Sequence, residues 1–594
     1  MDTPNVTPGS APAAGVQQLR ERPYADVLII GGGINGLATF RDLGLQGVDV
    51  ALVERGDIVS GASAASSHMI HGGIRYLENG EFRLVHEAVT ERNALLKTAP
   101  HYVRPLQTTI PIYSTFSGIL SAPLRFVRHG AGKPRERGAA LIKIGLVIYD
   151  SFSRGGGLLG KGTVPRHEFH GRRRSLQQLP DLNPAVRYTA TYWDASLHDP
   201  ERLAVDVLRD GRDAGGDRAR AATYVAAVGA RDGAVLLRGE DGEEFAFTAS
   251  VVVNASGPWT DLTNAALGDP TRYMGGTKGS HIVLDHPELL AATGGRELFF
   301  EHSDGRIVLI YPLKGRVLVG TTDLEHDMSD PIVCTEAEVD YFFGLIGHVF
   351  PAIAVDRAQI VYRFAGVRPL PGHGDLAPGF VSRDYRIEAQ PLPGGQATVL
   401  SLVGGKWTTF RASAAHLADR VLELLAVPRR RTTKGMPIGG GAGYPMSERA
   451  RRQWLAPHVE RVGLARAAQL LDRYGTVAAR VIAALGPDDA PLRSVPEYST
   501  GEVRHLARTE LVRHLDDLLM RRTSIAFTGA ATAEVAAEVA AAVAPVLGWD
   551  EAAQAAEVER ALRAVRAAQE DAGWPGRTTA VPATGPTSPA EATR

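Results

Sequence analysis

Cysteine is almost missing from this chain: one residue in 594, Cys334. That excludes an intramolecular disulfide, a CxxC redox pair and any iron–sulfur cluster ligated by cysteines of this chain alone. Long apolar runs are missing as well. No uncharged apolar stretch reaches the roughly 18 residues of a bilayer span, and the nearest, GAALIKIGLVIYDSF from Gly138, is short and interrupted by Lys143. Charge of one sign is also lacking. Lys and Arg number 65 against 66 Asp and Glu, a net charge of −1, so no global basic field attracts nucleic acid. Residues 1–22 lack an apolar signal core and are rich in Pro, Ala and Gly, which predicts a disordered tail. The stretch WPGRTTAVPATGPTSPAEATR from Trp574 reads the same way. No fixed-period repeat is present, and no metal is expected.

What is present is length and a glycine turn. A chain of 594 residues with 44% hydrophobic content is globular but too long for one core, so two to four domains are expected. In ADVLIIGGGINGLATFRDLGLQGVDVALVERGD, from Ala25, Val27–Ile30 reads as a buried parallel strand. Gly31, Gly33 and Gly36 form GxGxxG, Leu37–Leu45 has helical spacing, and DVALVE is the next strand. Gly31 would permit the tight turn, Gly33 the approach of backbone to a pyrophosphate, and Gly36 the packing of helix on strand. Glu54 ends the second strand, where an acid accepts from a ribose hydroxyl. The pyrophosphate would sit on the helix N-terminus, beside Ile34 and Asn35, where free N–H groups favour an anion. The second glycine cluster, IGGGAGYP from Ile438, has no strand before it and Tyr444 in place of a third glycine, so one dinucleotide site is expected. The turn alone does not choose between FAD and NAD; a single site on so long a chain suits a flavoprotein that keeps its cofactor.

A segment of small residues follows from Ser60, SGASAASSHMIHGGIRYLENGEF, where backbone can lie close to a ligand. From this point the chain resembles the FAD-dependent glycerol-3-phosphate dehydrogenases of the aerobic, quinone-linked kind. The resemblance rests on the glycine turn and on SSHMIHGGIRYLENGEFRLVHEA, VVVNASGPWTD, KGSHIVL, VGTTDLEHD, FAGVRPL, SRDYRI, VGGKWTTFR and YSTGEVRHLARTELVRHLDDLLMRRTSIAF. It spans roughly residues 24 to 527. It implies an α/β fold with a Rossmann-like FAD-binding domain of the D-amino-acid-oxidase/glutathione-reductase type, an antiparallel-sheet substrate domain and a C-terminal α-helical domain. The expected divisions are a discontinuous FAD-binding domain at about 23–110, 190–270 and 365–430, a substrate domain at about 111–189 and 271–364, helices at about 431–573, and tails at 1–22 and 574–594. It also implies oxidation of sn-glycerol 3-phosphate to dihydroxyacetone phosphate, with electrons passing from FAD to a membrane quinone and peripheral contact with the inner face of the cell membrane. An oxidase using O2, or a non-catalytic flavin scaffold, would share much of the same sequence, and a homodimer is left open.

Such a substrate is a phosphate dianion bearing a secondary alcohol, and its site needs clustered cations, preferably Arg, whose planar fork matches phosphate oxygens. Arg368, followed by Pro369, and Arg383 are the leading candidates, with Arg75, Tyr76 and Lys406 completing the substrate side that the resemblance implies. Loss of the hydroxyl proton needs a base. His281 and His71 are the candidates, histidine suiting neutral pH, and the sequence leaves open which one acts. The resemblance places further cofactor contacts at Ser63, Ser67, His71, Gly72, Gly73, Gly257, Gly405, Lys406 and Thr408. A helix beginning near Lys406 would aim its positive end at the flavin pyrimidine ring.

Overall fold

In the computed structural model, which describes residues 14–73, 82–114, 139–153, 164–301, 306–372 and 384–569, the aliphatic run before the glycines becomes β1 (Tyr24–Ile30), buried from Val27 onward. It lies inside a sheet ordered β17-β18-β10-β1-β2-β7, where β2 is Val50–Glu54, β7 Ala219–Thr223, β10 Glu244–Asn254, β17 Arg386–Pro391 and β18 Thr398–Val403. All neighbours pair in parallel except β17, an antiparallel edge. This explains the unbroken Val/Ile/Leu runs: helices cover a parallel sheet on its faces, so a strand has no wet side. Among those helices, α2 (Ile34–Gln46) packs against α4 (Pro200–Gly215) and α6 (Phe410–Leu424). A hairpin of β8 (Val225–Arg231) and β9 (Ala234–Gly239) joins the first half of β10.

A second sheet of ten strands runs β15-β11-β14-β13-β12-β4-β6-β3, with β16 beside β11 and β5 beside β6. Here β3 is Met69–Ile70, β4 Val103–Ile112, β5 Glu168–Gly171, β6 Tyr188–Leu197, β11 Thr277–Leu284 and β12 Glu297–Glu301. The rest are β13 (Ile307–Leu313), β14 (Arg316–Gly320), β15 (Leu324–Glu325) and β16 (Ile360–Arg368). Pairing is antiparallel apart from β12 with β4. The expected Lys-Gly hairpin is present: Lys314 and Gly315 both have positive φ, 52° and 72°, as a type I′ turn requires. α5 (Glu336–Val349) covers one face, and Cys334 is buried there, its thiol pushed up to about 12 by desolvation. β4 and β6 pair along their whole length inside this sheet. They cross the residue numbers 110/111 and 189/190 at which the sequence reading divided the chain, because alternation shows a strand but not which sheet completes it.

Disorder over residues 1–22 is corrected in part. α1 (Ala14–Glu21) is helical and buries Val16 and Leu19 against the first sheet; two apolar residues on one helical face suffice once a hydrophobic surface is there to receive them. Residues 1–13 and the tail from Trp574 lie outside the described residues. α3 (Phe82–Thr98) follows the small-residue segment. The C-terminal helices include α7 (Thr500–Thr509), α8 (Ala533–Leu547) and α9 (Glu551–Gln569), with a core of their own. Ala-rich α8 buries Val535, Val539 and Val543 in that core. Among the described residues, no helix is long and apolar enough to cross a membrane.

Candidate functional site

The carboxyl ends of β1, β2, β10 and β18 share one edge of the parallel sheet, where ligands bind in open α/β folds. The β1–α2 turn divides its labour among three glycines. Gly31 has φ +114°, and a Cβ there would lie 2.6 Å from the Ala255 carbonyl oxygen, so only glycine fits. A Cβ on Gly36 would lie 2.0 Å from the Gly31 oxygen, which is how α2 packs onto the turn. A Cβ on Gly33 would meet only Ser63 Oγ, at 3.3 Å, leaving this flank of the turn open. Glu54 closes the far side: Oε2 accepts from the Gly32 N–H at 2.7 Å and Oε1 from the Gly56 N–H at 3.0 Å. Desolvation raises its pKa, and these two N–H groups oppose the rise.

A second glycine turn faces the first from the end of β18. Gly404 and Gly405 have φ of 94° and 113°, a conformation that cannot begin a helix. α6 therefore starts at Phe410, four residues beyond the expected start at Lys406. The starts of α2 and α6 meet: Ser413 Oγ donates to Asn35 Oδ1 at 2.9 Å, and Gly405 leaves room for the Asn35 side chain. The small-residue segment straps the two turns together. Ser63 Oγ accepts from the Ile34 N–H at 3.1 Å, the Ser63 carbonyl accepts from Trp407 Nε1 at 3.0 Å, and Thr408 Oγ1 donates to the His71 carbonyl at 3.3 Å. First-turn helix N–H groups have no partner within their own helix, and Gly257, at φ +62°, has no atom within 4 Å of a would-be Cβ. Two converging helix starts, an open Gly33 flank and a backbone-lined crevice fit a dinucleotide with an anionic centre, which is what FAD is.

The reacting side lies on the second sheet. On β11 and β16, His281 pairs with Phe364 and Thr277 with Arg368, so His281 and Arg368 point from the same face. Gly279 between them makes room for the Arg368 guanidinium, and Gly320 on β14 makes room for the His281 ring. His281 stacks on Phe364 with centroids 4.8 Å apart, and its Nε2 lies 2.8 Å from Ser67 Oγ. Burial first, then the charges of Arg368 and His68, hold its pKa well below the ordinary histidine value, so the ring is neutral. Arg368 is braced: Nη1 donates to Asp323 at 3.1 Å, and Nη2 to Thr321 Oγ1 at 2.9 Å and the Thr322 carbonyl at 3.1 Å. Gly366 lets Ala65 close against β16, which brings the strap down onto this face.

The segment His71–Gly73 has a buried support that the sequence reading missed. Asp194 Oδ1 accepts from the Gly72 N–H at 2.9 Å, from Arg92 Nη1 at 2.7 Å and from the Tyr149 hydroxyl at 2.5 Å. Gly72 is needed because a Cβ would lie 2.1 Å from that hydroxyl oxygen. A signal existed: Arg92 falls on the apolar stripe of α3 with Val85, Val89 and Leu96, and a charge on a buried stripe needs a partner. Arg75, Tyr76 and Arg383 lie outside the described residues.

Comparison with known proteins agrees with this geometry. Residues 26–420 match the family model described as FAD dependent oxidoreductase, and residues 431–554 that of the C-terminal domain of alpha-glycerophosphate oxidase. The chain is 33% identical over 533 residues to a glycerol-3-phosphate dehydrogenase of Synechocystis sp., covering 84% of this chain and 89% of the relative. It is 30% identical to the aerobic glycerol-3-phosphate dehydrogenase of Escherichia coli, covering 84% and 93%, and 30% identical to D-erythritol 1-phosphate dehydrogenase of Brucella abortus, covering 85% and 95%. Among solved structures, the glycerol-3-phosphate dehydrogenase from Bacillus halodurans complexed with FAD superposes with a TM-score of 0.72 at 21% identity, covering 95% of this chain and 99% of that one. That likeness establishes the fold.

Proposed function

The chain belongs to the FAD-dependent glycerol-3-phosphate dehydrogenase family, and from that premise we propose that it oxidises sn-glycerol 3-phosphate to dihydroxyacetone phosphate, passing the electrons to a quinone. The observation that carries this reading is the common face of β11 and β16, where a neutral imidazole and a braced guanidinium stand beside the strap that crosses the cofactor crevice.

Bound FAD supplies the acceptor for the hydride leaving C2. The Gly33 flank and the first turns of α2 and α6 would hold its pyrophosphate and pyrimidine, with Glu54 toward the ribose. The chain's own residues do the rest. Arg368 receives the phosphate, and Lys406, with Arg75, Tyr76 and Arg383, which the family resemblance assigns to the substrate side, would complete the charge match. Its bonds to Asp323 and Thr321 fix the plane of the fork, so the phosphate anchors the substrate in one orientation. His281 and His71 are the candidates to take the hydroxyl proton, and His281 is the one on the face of Arg368. In the free protein the charge of Arg368 is one of the causes that keep His281 from protonating. A phosphate dianion on Arg368 cancels that charge, so substrate binding itself raises the proton affinity of His281 at the moment a base is needed. With one cysteine in the chain, this chain would hold no cysteine-ligated cluster to relay electrons between the cofactor and the acceptor. Quinone reduction then calls for peripheral contact with the inner face of the cell membrane.

A second substrate, a four-carbon polyol phosphate, is favoured by the relative named D-erythritol 1-phosphate dehydrogenase. Adding each phosphate anaerobically to the purified holoenzyme and following loss of the 450 nm flavin band separates the two. Bleaching by sn-glycerol 3-phosphate is expected; bleaching only by the tetritol phosphate would replace the substrate, and by neither would refute the reading. Reoxidation by a soluble quinone analogue is expected to outpace that by dissolved oxygen. Fast oxygen consumption with stoichiometric peroxide, and none by quinone, would make it an oxidase.

A further inference from the structure

We propose that the C-terminal helical domain positions the cofactor loop, with Arg521 and Arg522 as positioning residues that act through Asp57. Asp57 lies three residues beyond Glu54, and its side chain is completely buried. Arg522 grips it with both arms of the fork, Nη1 to Oδ2 at 2.8 Å and Nη2 to Oδ1 at 2.7 Å, and Arg521 Nε donates to Oδ2 as well. The two arginines are consecutive on a π-helical turn, Leu518–Arg522. Their own domain fixes them: Arg522 donates to the Glu510 carbonyl at 2.9 Å, and Arg521 Nη2 to Asp517 at 2.9 Å and Asp516 at 3.1 Å. A second tether runs parallel. The Tyr224 hydroxyl donates to Asp517 at 2.6 Å, while the Tyr224 N–H donates to the Gly56 carbonyl at 3.0 Å.

The loop so gripped is bonded on its other side to the glycine turn. Glu54 accepts from Gly32 and Gly56, and the Val59 N–H donates to the Gly32 carbonyl at 3.0 Å. Other docking contacts, Arg202 with Glu510 and Arg316 with the Thr528 carbonyl, fall on α4 and on the β13–β14 hairpin, away from the turn. Among the described residues, Arg41 and Gln46 on α2 also meet the start of the C-terminal segment, at the Pro437 and Arg431 carbonyls, but it is at the Asp57 loop that buried side chains of that domain grip the backbone running straight on from Glu54. Ordering this loop and docking the domain are thus one event, and coupling of this kind is reciprocal: whatever the domain gives to FAD binding, FAD returns to docking of the domain. The inference rests on the reading that the Gly31–Glu54 turn holds FAD.

The test compares hydrogen exchange in the full-length apoprotein and FAD-loaded protein. FAD should slow exchange in residues 31–59 and, by at least tenfold, in residues 515–525, with no change in the helix Glu448–Leu455. Protection at 31–59 with none at 515–525 overturns the coupling while sparing the site; no protection at either overturns both. Arg521→Lys keeps the charge and loses the fork, and Tyr224→Phe removes one hydroxyl. Each should raise the FAD dissociation constant, about tenfold and about threefold, while KM for glycerol 3-phosphate at saturating FAD stays constant. Destabilised apoprotein with unchanged FAD affinity would show a merely structural role and overturn the proposal.

Discussion

Gly33 and Gly36 of the β1–α2 turn should fail in different ways when each gains one methyl group. Gly33 has an ordinary extended backbone, φ −75° and ψ 171°, and its new Cβ would meet only Ser63 Oγ at 3.3 Å. Gly33→Ala should therefore leave the apoprotein as stable as its parent, since alanine at a compatible backbone position lowers the entropy of the unfolded chain. The methyl would stand where the pyrophosphate approaches. Each charge-assisted hydrogen bond forfeited there is worth about 1.5–3 kcal/mol, so one lost bond weakens FAD binding roughly 10- to 100-fold. Gly36→Ala should do the reverse. Its Cβ would sit 2.0 Å from the Gly31 oxygen, and α2 must withdraw by about 1 Å to reach the closest distance real Cβ atoms show. Overpacking of this kind costs about 1–3 kcal/mol, visible as a lower melting temperature of the apoprotein. The assays are titration of apoprotein with FAD, followed by quenching of flavin fluorescence, and thermal unfolding followed by circular dichroism. FAD affinity within threefold of the parent for Gly33→Ala, or an undiminished melting temperature for Gly36→Ala, would refute the assignment of roles.

Arg368→Ala should lower kcat/KM for glycerol 3-phosphate by roughly 30-fold or more, the loss of a desolvated charge pair costing about 2–5 kcal/mol; activity on glycerol should change little by comparison, and equal losses on both would speak against a phosphate contact. Because the pKa of His281 lies well below 6.5 in the folded protein, its imidazole stays neutral as pH falls through that value, so kcat/KM in the free-enzyme profile should show no inflection from this group near 6.5. The same depression means the unfolded chain takes up a proton that the folded chain refuses, so stability falls as pH drops below 6.5, and a His281→Asn variant should lose less of its melting temperature between pH 7 and pH 5. Glu297, fully buried at the start of β12 and hydrogen-bonded to Thr108, is pushed up to about 8 by desolvation. Its folded form is protonated at neutral pH, so stability drains away as pH rises from 4.5 toward 8; Glu297→Gln should match the parent at pH 4 and exceed it by roughly 3 kcal/mol at pH 7, read by denaturant unfolding at both values.

What the sequence disclosed was local. The turn after β1, the acid ending β2 and the Lys314–Gly315 hairpin each occupy a few consecutive residues whose backbone demands are written in their types. Parallel β18 and the glycines after it were legible for the same reason, although the start of α6 was misplaced because two positive-φ glycines and a non-helical turn intervene before Thr409. What stayed hidden was pairing across distance. Asp194 meets Arg92 across 102 residues, and Asp57 meets Arg522 across 465; neither acid differs from a surface aspartate by its neighbours in the chain. β4 and β6, paired along their whole length across 76 to 94 residues, were hidden for the same reason, since nothing in a strand's own residues says which sheet completes it. Nor does a Pro- and Ala-rich start reveal that Val16 and Leu19 find an apolar surface completed by strands two hundred residues away.

The 465-residue separation of Asp57 from Arg522 also sets a timetable. At roughly 5–20 residues per second of synthesis, Asp57 leaves the ribosome about half a minute to a minute and a half before the guanidinium groups that bury it. β10 meanwhile waits for β18, which begins 144 residues after Asn254, so one edge of the parallel sheet stays open for a part of that interval. Until β18 is made the nascent chain carries an exposed strand edge, and until Arg522 is made it carries a carboxylate bound for the interior. A chain cut short before residue 521 leaves the Asp57 loop without the arginines that grip it.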